Sequence, residues 1–138
     1  MKQVNKWLKS ADEALNHELI KIVDADGKVE EVFKGYISSF GAMVIQNGLP
    51  AALAINMKTD TGEGKQRKKI IEAIAYVLYK SSRYPHYTAE TLLDESCTLA
   101  NTNNHRKLRF LKQDVIDASI ALKLMMRTYE FCETEKSE

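Results

Sequence analysis

Proline, glycine and cysteine are scarce in this chain. Its 138 residues include two prolines and six glycines, which argues against a turn-rich β fold because these residues dominate tight turns. Two cysteines are too few for a disulfide framework, and we expect Cys97 and Cys132 to lie in or beside the core as small hydrophobic residues. No apolar run approaches the ~18 residues of a membrane-spanning helix, and the first residues show no signal peptide. We therefore expect no membrane association and a cytoplasmic location.

The chain also lacks a strong net charge. Its formal charge at pH 7 is +1, so a nucleic-acid-binding role would have to come from the distribution of charge. A hydrophobic fraction of 44% and a charged fraction of 28% are typical of a globular protein, and a chain of this length can bury one core. We predict one helical domain over residues 1–132 and an acidic, disordered tail over residues 133–138, with fraying from Glu130 onward.

Motifs for catalysis and metal binding are missing as well. The three histidines are far apart in sequence, and no Cys/His cluster has the spacing of a metal site. Gly62-Glu-Gly64 lacks the Gly-Lys-Ser/Thr ending of a phosphate-binding loop and is interpreted as an ordinary loop. Asp114 and Asp117 follow His105, but two acids three positions apart on a helix are better explained as a solvated face. We predict no enzymatic activity, no catalytic residue, no metal and no cofactor.

Apolar residues recur at intervals of three and four along most of the chain, which predicts amphipathic helices. Asp24 to Lys28 is predicted to be a turn between the first two of them. The expected helices cover residues 1–22, Val29 to Asn47, a segment from Pro50, a segment from the Lys65 region to about Ser82, Thr88 to about Leu99, and a long last segment. The expected fold is all-α, a single compact bundle of five to six helices.

The stretch from Tyr36 to Asn56 is predicted to be a helix, a sharp break and a second helix. Asn47-Gly48 tolerates the left-handed conformation that ends a helix, and Pro50 suits the first turn of the next one. Bulky residues share one face of the first helix: Phe33, Tyr36, Ile37, Phe40, Met43 and Val44. Small residues share the opposite face: Gly35, Ser38, Ser39 and Ala42. We predict that both faces are covered, the small one by another helix.

The last helix carries the most regular apolar pattern. Its seam consists of Leu108, Leu111, Val115, Ala118, Leu122, Met125, Tyr129 and Cys132. This pattern is compatible with a coiled coil to a partner helix and with one edge of a helical bundle. The bundle is the commoner arrangement in a small domain.

Positive charge is concentrated in two places. The first basic cluster consists of Lys65, Arg67, Lys68 and Lys69, and the second basic cluster of Arg106, Lys107, Arg109 and Lys112. Each stands at a predicted helix start, where unpaired N–H groups add positive potential. Between them lies Arg83-Tyr-Pro-His-Tyr87, whose aromatic side chains could stack on unpaired bases. Two interpretations stay open: Arg83 and the clusters bind RNA phosphates, or they only solvate helix faces.

Part of the central stretch resembles a known family. Tyr36, the run from Ala42 to Leu49 that ends in Asn-Gly-Leu, and the following Ala-Leu-Ala54 are similar to the signature of the small α-helical subunit of type III-B CRISPR effector complexes, the Cmr small subunit. The resemblance extends loosely to chain length and to the amphipathic last helix. One departure lies in that helix, where Leu122 to Arg127 replaces the Trp-Leu and basic residue often found in the family.

The resemblance implies a non-catalytic subunit of an RNA-guided antiviral ribonucleoprotein. Small subunits of this family stack in a row of copies, beside the repeated backbone subunits and the large subunit. They line the channel that holds guide and target RNA, with contacts expected to the RNA backbone and sequence left to guide pairing. Assignment of the two basic clusters and Arg83 to RNA is our inference from charge. The alternative is a helical protein–protein adaptor that pairs through the apolar seam without RNA contact.

Overall fold

Residues 2–81, 83–84 and 87–133 are described by the computed structural model of this chain, and within them six helices and two short strands follow one another. In chain order they are α1 (Lys2–Leu15), β1 (Lys28–Glu30), α2 (Val32–Asn47), α3 (Leu49–Ile55), α4 (Gly62–Lys80), α5 (Ala89–Asn101), α6 (His105–Met126) and β2 (Glu130–Cys132). The predicted helical bundle of five to six helices is confirmed. In the described residues, no helix is long and apolar enough to cross a membrane.

Helix α6 is the axis of the bundle and packs against α1, α2, α4 and α5. Its seam residues Leu111, Val115, Ala118 and Leu122 are at most 1% exposed, because the other helices cover them. The seam therefore faces the core of the same chain, as a bundle requires. The helix ends at Met126, so Tyr129 and Cys132 do not continue it.

The break between α2 and α3 forms as predicted. Gly48 adopts a positive φ of 87°, and its N–H donates to the Val44 carbonyl at 3.1 Å, which closes the end of α2. Pro50 stands in the first turn of α3. Phe33 and Phe40 on the bulky face are each 1% exposed, so this face was assigned correctly.

The prediction that another helix covers the small face of α2 is wrong. Gly35, Ser38, Ser39 and Ala42 are all exposed, and no element of the described chain covers them. Burial of such short side chains removes little apolar area from water, so this face adds little to core formation. Cys97 was also assigned wrongly, since it is exposed on α5.

The connection from α1 to α2 is longer than the periodicity predicts. Helix α1 ends at Leu15, and residues up to Ile22 form turns in which Lys21 takes a positive φ of 59°. The turn after them is confirmed: Asp24 Oδ1 accepts the backbone N–H groups of Asp26 at 2.9 Å and Lys28 at 3.0 Å. Val29 then belongs to β1, so α2 begins at Val32 instead of Val29.

A short parallel ladder was not predicted. Strand β1 pairs with β2 in the register Lys28 with Glu130, Val29 with Phe131, and Glu30 with Cys132. The fraying expected from Glu130 is therefore wrong for residues 130–132, which gain backbone partners. The remainder of the predicted tail from residue 134 lies outside the described residues.

Threonine side chains cap the starts of α4 and α5. Thr88 Oγ1 accepts the N–H of Thr91 at 3.2 Å, which confirms Thr88 as the N-cap of α5. Thr61 Oγ1 accepts the N–H of Gly64 at 2.9 Å and starts α4 at Gly62, so the predicted loop over residues 62–64 is helical. Gly64 is buried against the chain, since a Cβ there would lie 2.1 Å from the Lys58 carbonyl oxygen.

Candidate nucleic-acid interface

The two basic clusters lie at opposite ends of the bundle. At the start of α4, Gln66 Nε2 donates to Glu30 at 3.4 Å, and Glu30 pairs with Cys132 beyond the end of α6. After the end of α4, the Arg83 guanidinium lies 3.5 Å from Asp114 in the first half of α6. Helices α4 and α6 are therefore antiparallel, and the 22 residues of α6 span about 33 Å. The clusters do not form one continuous surface.

Acidic and aromatic groups of the same chain contact most of the first basic cluster. The Arg67 guanidinium lies 2.6 Å from Glu63 and 5.3 Å from the centroid of the Tyr36 ring. Lys69 Nζ donates to the Lys21 carbonyl at 3.4 Å and lies 5.9 Å from the centroid of the Phe33 ring. These contacts hold both cations against the start of α2 and the loop before it.

Lys68 forms ion pairs with two acids of the same chain. Its ammonium lies 2.6 Å from Glu90 at the start of α5 and 4.0 Å from Glu72 one turn further along α4. The hydrogen bond from Lys68 lowers the pKa of the Glu90 carboxyl below its ordinary value, and the same bond raises the pKa of Lys68. Lys65 alone in the cluster has an exposed side chain with no ion pair in the described part of the chain.

The second basic cluster is arranged differently. Arg106, Lys107 and Arg109 are exposed on the first turns of α6, and the first turn contains no acid. Within residues 2–81, 83–84 and 87–133, none of the four cations of this cluster forms an ion pair. The cap is neutral, with Asn104 Oδ1 accepting the Lys107 N–H at 3.4 Å. Uncompensated cations therefore add to the positive potential of the helix start.

Arg83 joins the second basic cluster across an open pocket of about 400 Å³. Its walls are Arg83, Tyr84, Tyr87, Glu95, Leu99, Lys107, Phe110 and Leu111. The rings of Tyr84 and Tyr87 meet edge to face with centroids 5.1 Å apart, so two of the predicted aromatic residues do stand beside cations. His86 lies outside the described residues.

Asp114 is a buried carboxylate that contacts both Tyr84 and Arg83 of this pocket. It is 4% exposed and accepts hydrogen bonds from the Tyr84 hydroxyl and, at 2.8 Å, from Gln3 Nε2. Burial and the bond to Asp114 raise the pKa of Tyr84 well above its ordinary range. The prediction of a solvated Asp114 is wrong, because α1 and the segment after α4 cover this side of α6. Its carboxylate positions Tyr84 and Arg83.

Phe110 was missed by the sequence reasoning. It keeps 59% of its surface exposed, and the Arg106 guanidinium lies 5.8 Å from its ring centroid. A second open pocket of about 370 Å³ is lined by Arg106, Arg109, Phe110 and Gln113. Helical periodicity could have predicted its exposure, because Phe110 lies between the seam residues Leu108 and Leu111 and therefore points away from the core.

A shallow groove between α2 and α6 lies on another face. It has a volume of about 180 Å³ and includes Ser38 and Ala42 of the small face. Ile45 at its edge is 68% exposed, and Ile116 and Ile120 of α6 are half-buried beside it. This groove is lined by apolar side chains and by small residues that leave the backbone of α2 accessible.

Catalytic geometry is not apparent in the part of the chain that the structure describes. No group of three His, Cys, Asp or Glu side chains there could hold a metal ion. His105 is exposed at the start of α6, while the Asp114 carboxylate is engaged by Tyr84, Gln3 and Arg83. The two do not form an acid–base pair.

Comparison with protein families gives a match over most of the chain. A family model described as CRISPR-associated protein (Cas_Cmr5) matches residues 3–128, which include nearly all of the six helices, both basic clusters and Arg83. Comparison with curated proteins found no match, and comparison with solved structures found none either.

Proposed function

Because the chain belongs to the CRISPR-associated Cmr5 family, the small subunits of type III-B CRISPR effector complexes, we propose that it holds guide and target RNA without cleaving them. The family is a structural one, and its association with other subunits of the complex follows from membership. The finer proposal is a subunit that stacks in a row of copies, contacts the RNA backbone and serves antiviral defence in the cytoplasm.

The second basic cluster is the observation that carries RNA contact. Arg106, Lys107, Arg109 and Lys112 lie in the first turns of α6 without acid partners in the described residues, and Arg83 lines a pocket together with Lys107. Lysine and arginine side chains in such a place neutralise phosphates and release counterions without reading bases. The first basic cluster supports this role less, since Arg67, Lys68 and Lys69 have internal partners.

The groove between α2 and α6 supports contacts with protein neighbours. Its exposed Ile45 and the small residues Ser38 and Ala42 allow another backbone to approach closely. We assign this face to a neighbouring subunit of the complex, either another copy of the chain or one of the backbone and large subunits.

The adaptor alternative relied on the apolar seam of α6 as its pairing surface, and that seam is buried. Pairing through the apolar seam would require Leu111, Val115 and Leu122 to be accessible, and all three are at most 1% exposed. An adaptor would have to use the groove between α2 and α6, which does not account for the uncompensated cations of the second basic cluster.

The test compares two double charge reversals. Arg106→Glu with Arg109→Glu alters the second basic cluster, and Lys9→Glu with Arg127→Glu applies the same charge change at two exposed positions outside both basic clusters. Binding of single-stranded RNA is measured across a salt series with the isolated subunit and with the assembled complex. The first variant should weaken binding and flatten the slope of log affinity against log salt by about 1.4, at roughly 0.7 for each phosphate contact.

The control variant should keep most of the affinity and nearly the same slope. If both variants bind RNA like the wild type in both settings, the cations only solvate helix faces and the adaptor alternative stands. Purified subunit should leave RNA intact with or without divalent metal. Cleavage that follows the protein through purification and is lost on His105→Ala would contradict the non-catalytic role.

A further inference from the structure

Phe110 is an exposed aromatic residue in a setting that a solvated helix face does not explain. Single exposed apolar residues are common, but Phe110 forms a wall of two separate open pockets, of about 400 and 370 Å³. Its exposed fraction of 59% leaves a large part of the ring in water. A flat apolar surface therefore stands between two spaces that are large enough for a planar ligand.

Positive charge surrounds this ring. Arg83 and Lys107 line the first pocket, Arg106 and Arg109 line the second, and the Arg106 guanidinium lies 5.8 Å from the ring centroid. The acid of the first pocket, Glu95, accepts the hydroxyl of Tyr87. The ligand that complements an exposed ring flanked by cations has a planar aromatic part and a negative charge next to it.

We propose that Phe110 is a stacking platform for one unpaired base of an RNA strand whose phosphates lie on the second basic cluster. The inference rests on the proposed function, because it presupposes RNA at this end of the bundle. A base in a duplex already stacks on its neighbours, so the platform selects a single-stranded or splayed nucleotide. Stacking on an aromatic ring tolerates any base, which fits backbone recognition without sequence readout.

An apolar side chain of a protein neighbour is the competing occupant. It would use the ring but would leave the uncompensated cations Arg106, Lys107 and Arg109 beside it without an acidic partner. The nucleotide uses both features, so the observations favour it, and the protein contact becomes an outcome of the test.

The experiment uses full-length protein with Phe110→Ala, Phe110→Tyr and the control Tyr79→Ala. Tyr79 is also an exposed aromatic residue, at 46%, but it lies on α4 and is not a wall residue of either pocket. The probes are oligoadenylate and an abasic ribose–phosphate strand of equal length, measured over a salt series with the subunit alone and in the complex. Phe110→Ala should weaken oligoadenylate binding by roughly 5- to 150-fold, the effect of one base–aromatic stack, with an unchanged salt slope.

Phe110→Tyr and Tyr79→Ala should bind like the wild type, and the abasic strand should bind the wild type and Phe110→Ala equally. Phe110→Trp adds a fluorescence readout, because the chain has a single tryptophan, Trp7, which is 7% exposed. Emission from the added tryptophan should be quenched by oligoadenylate and not by the abasic strand.

Failure of this inference is distinct from failure of the proposed function. If Phe110→Ala binds oligoadenylate normally while Arg106→Glu with Arg109→Glu flattens the salt slope, RNA contact stands and the stacking platform is overturned. Equal losses on oligoadenylate and on the abasic strand would also overturn it. So would unchanged RNA affinity combined with loss of a partner subunit, which would assign Phe110 to a protein contact. Wild-type protein that binds no RNA in either setting would end both proposals.

Discussion

The Lys68 ammonium lies 2.6 Å from the Glu90 carboxylate, which joins the first turns of α4 to the start of α5. Glu72 approaches the same ammonium at 4.0 Å, and only 23% of the Lys68 side chain is exposed. A cation whose sequence context suggested a solvent-facing RNA contact is thus part of the internal structure. Its substitution should be measured first as a change in stability.

Reversal of this charge tests its structural role. Lys68→Glu should lower the free energy of unfolding by about 1–2 kcal/mol, because two ion pairs of roughly 0.2–1 kcal/mol each are replaced by two like-charge contacts. Lys65→Glu, the same change at a neighbouring exposed site, should stay within about 0.5 kcal/mol of wild type. Urea denaturation measures both. The double variant Lys68→Glu with Glu90→Lys should regain part of the loss, and equal stability of the two single variants would contradict the ion pair.

The same pair predicts a pH dependence. The lowered pKa of Glu90 means that its stabilising effect is present above the ordinary value of 4.5 and is lost as the pH falls through the folded-state value. The raised pKa of Lys68 means that its effect is present below 10.5 and is lost as the pH rises further. The stability difference between wild type and Glu90→Gln should therefore be largest between these limits and shrink at both ends. Thermal unfolding at a series of pH values measures it, and a difference that does not vary with pH would exclude this linkage.

Tyr84 should contribute to stability through its hydroxyl. Tyr84→Phe removes a donor from the buried Asp114 carboxylate, so the loss should be about 1–3 kcal/mol in the free energy of unfolding. Tyr79→Phe is the matched control, because the Tyr79 side chain is exposed and has no hydrogen bond within the described residues. Chemical denaturation of both variants would settle the matter, and equal stabilities would mean that Asp114 is satisfied without Tyr84.

Substitution of Gly64 by alanine should lower the free energy of unfolding, although helix propensity alone would favour alanine. Gly64→Ala places a Cβ 2.1 Å from the Lys58 carbonyl oxygen, so the backbone before α4 has to move at a cost of roughly 1–3 kcal/mol. Gly35→Ala is the control: no atom lies within 4 Å of its added Cβ, and alanine should stabilise that helix by up to about 1 kcal/mol. Opposite signs in thermal unfolding are expected, and a stabilised Gly64→Ala protein would refute the close approach.

Local patterns predicted most of the helical architecture. The spacing that buries Phe40, Leu111 and Leu122 is visible in the sequence because a helix repeats its inward positions every three to four residues. Thr88 and Gly48 act through neighbours within a few residues, so their roles as caps were also predictable.

Tertiary placement decided what the sequence did not reveal. The partner of Lys68 is on another helix, and the partner of Lys28 is close to the other end of the chain. A solvated cation and an ion-paired cation have the same sequence pattern. That the first basic cluster is largely paired within the chain and the second is not depends on acids of other helices, whose positions only the structure gives. The small face of α2 was misassigned for a related reason, since a covered and an uncovered face of small residues have the same spacing.

The parallel ladder of β1 and β2 has a consequence for the order of folding. Strand β1 leaves a ribosome about a hundred residues before β2, which at roughly 5–20 residues per second is a delay of roughly 5–20 s. Helix α1 waits as well, because Gln3 bonds to Asp117, 114 positions away. The first third of the nascent chain therefore carries Val4, Trp7 and Val29 without their final neighbours during synthesis. Folding of this domain is therefore completed only after β2 has been synthesised, and a chaperone of the nascent chain would act on the segment from α1 to β1.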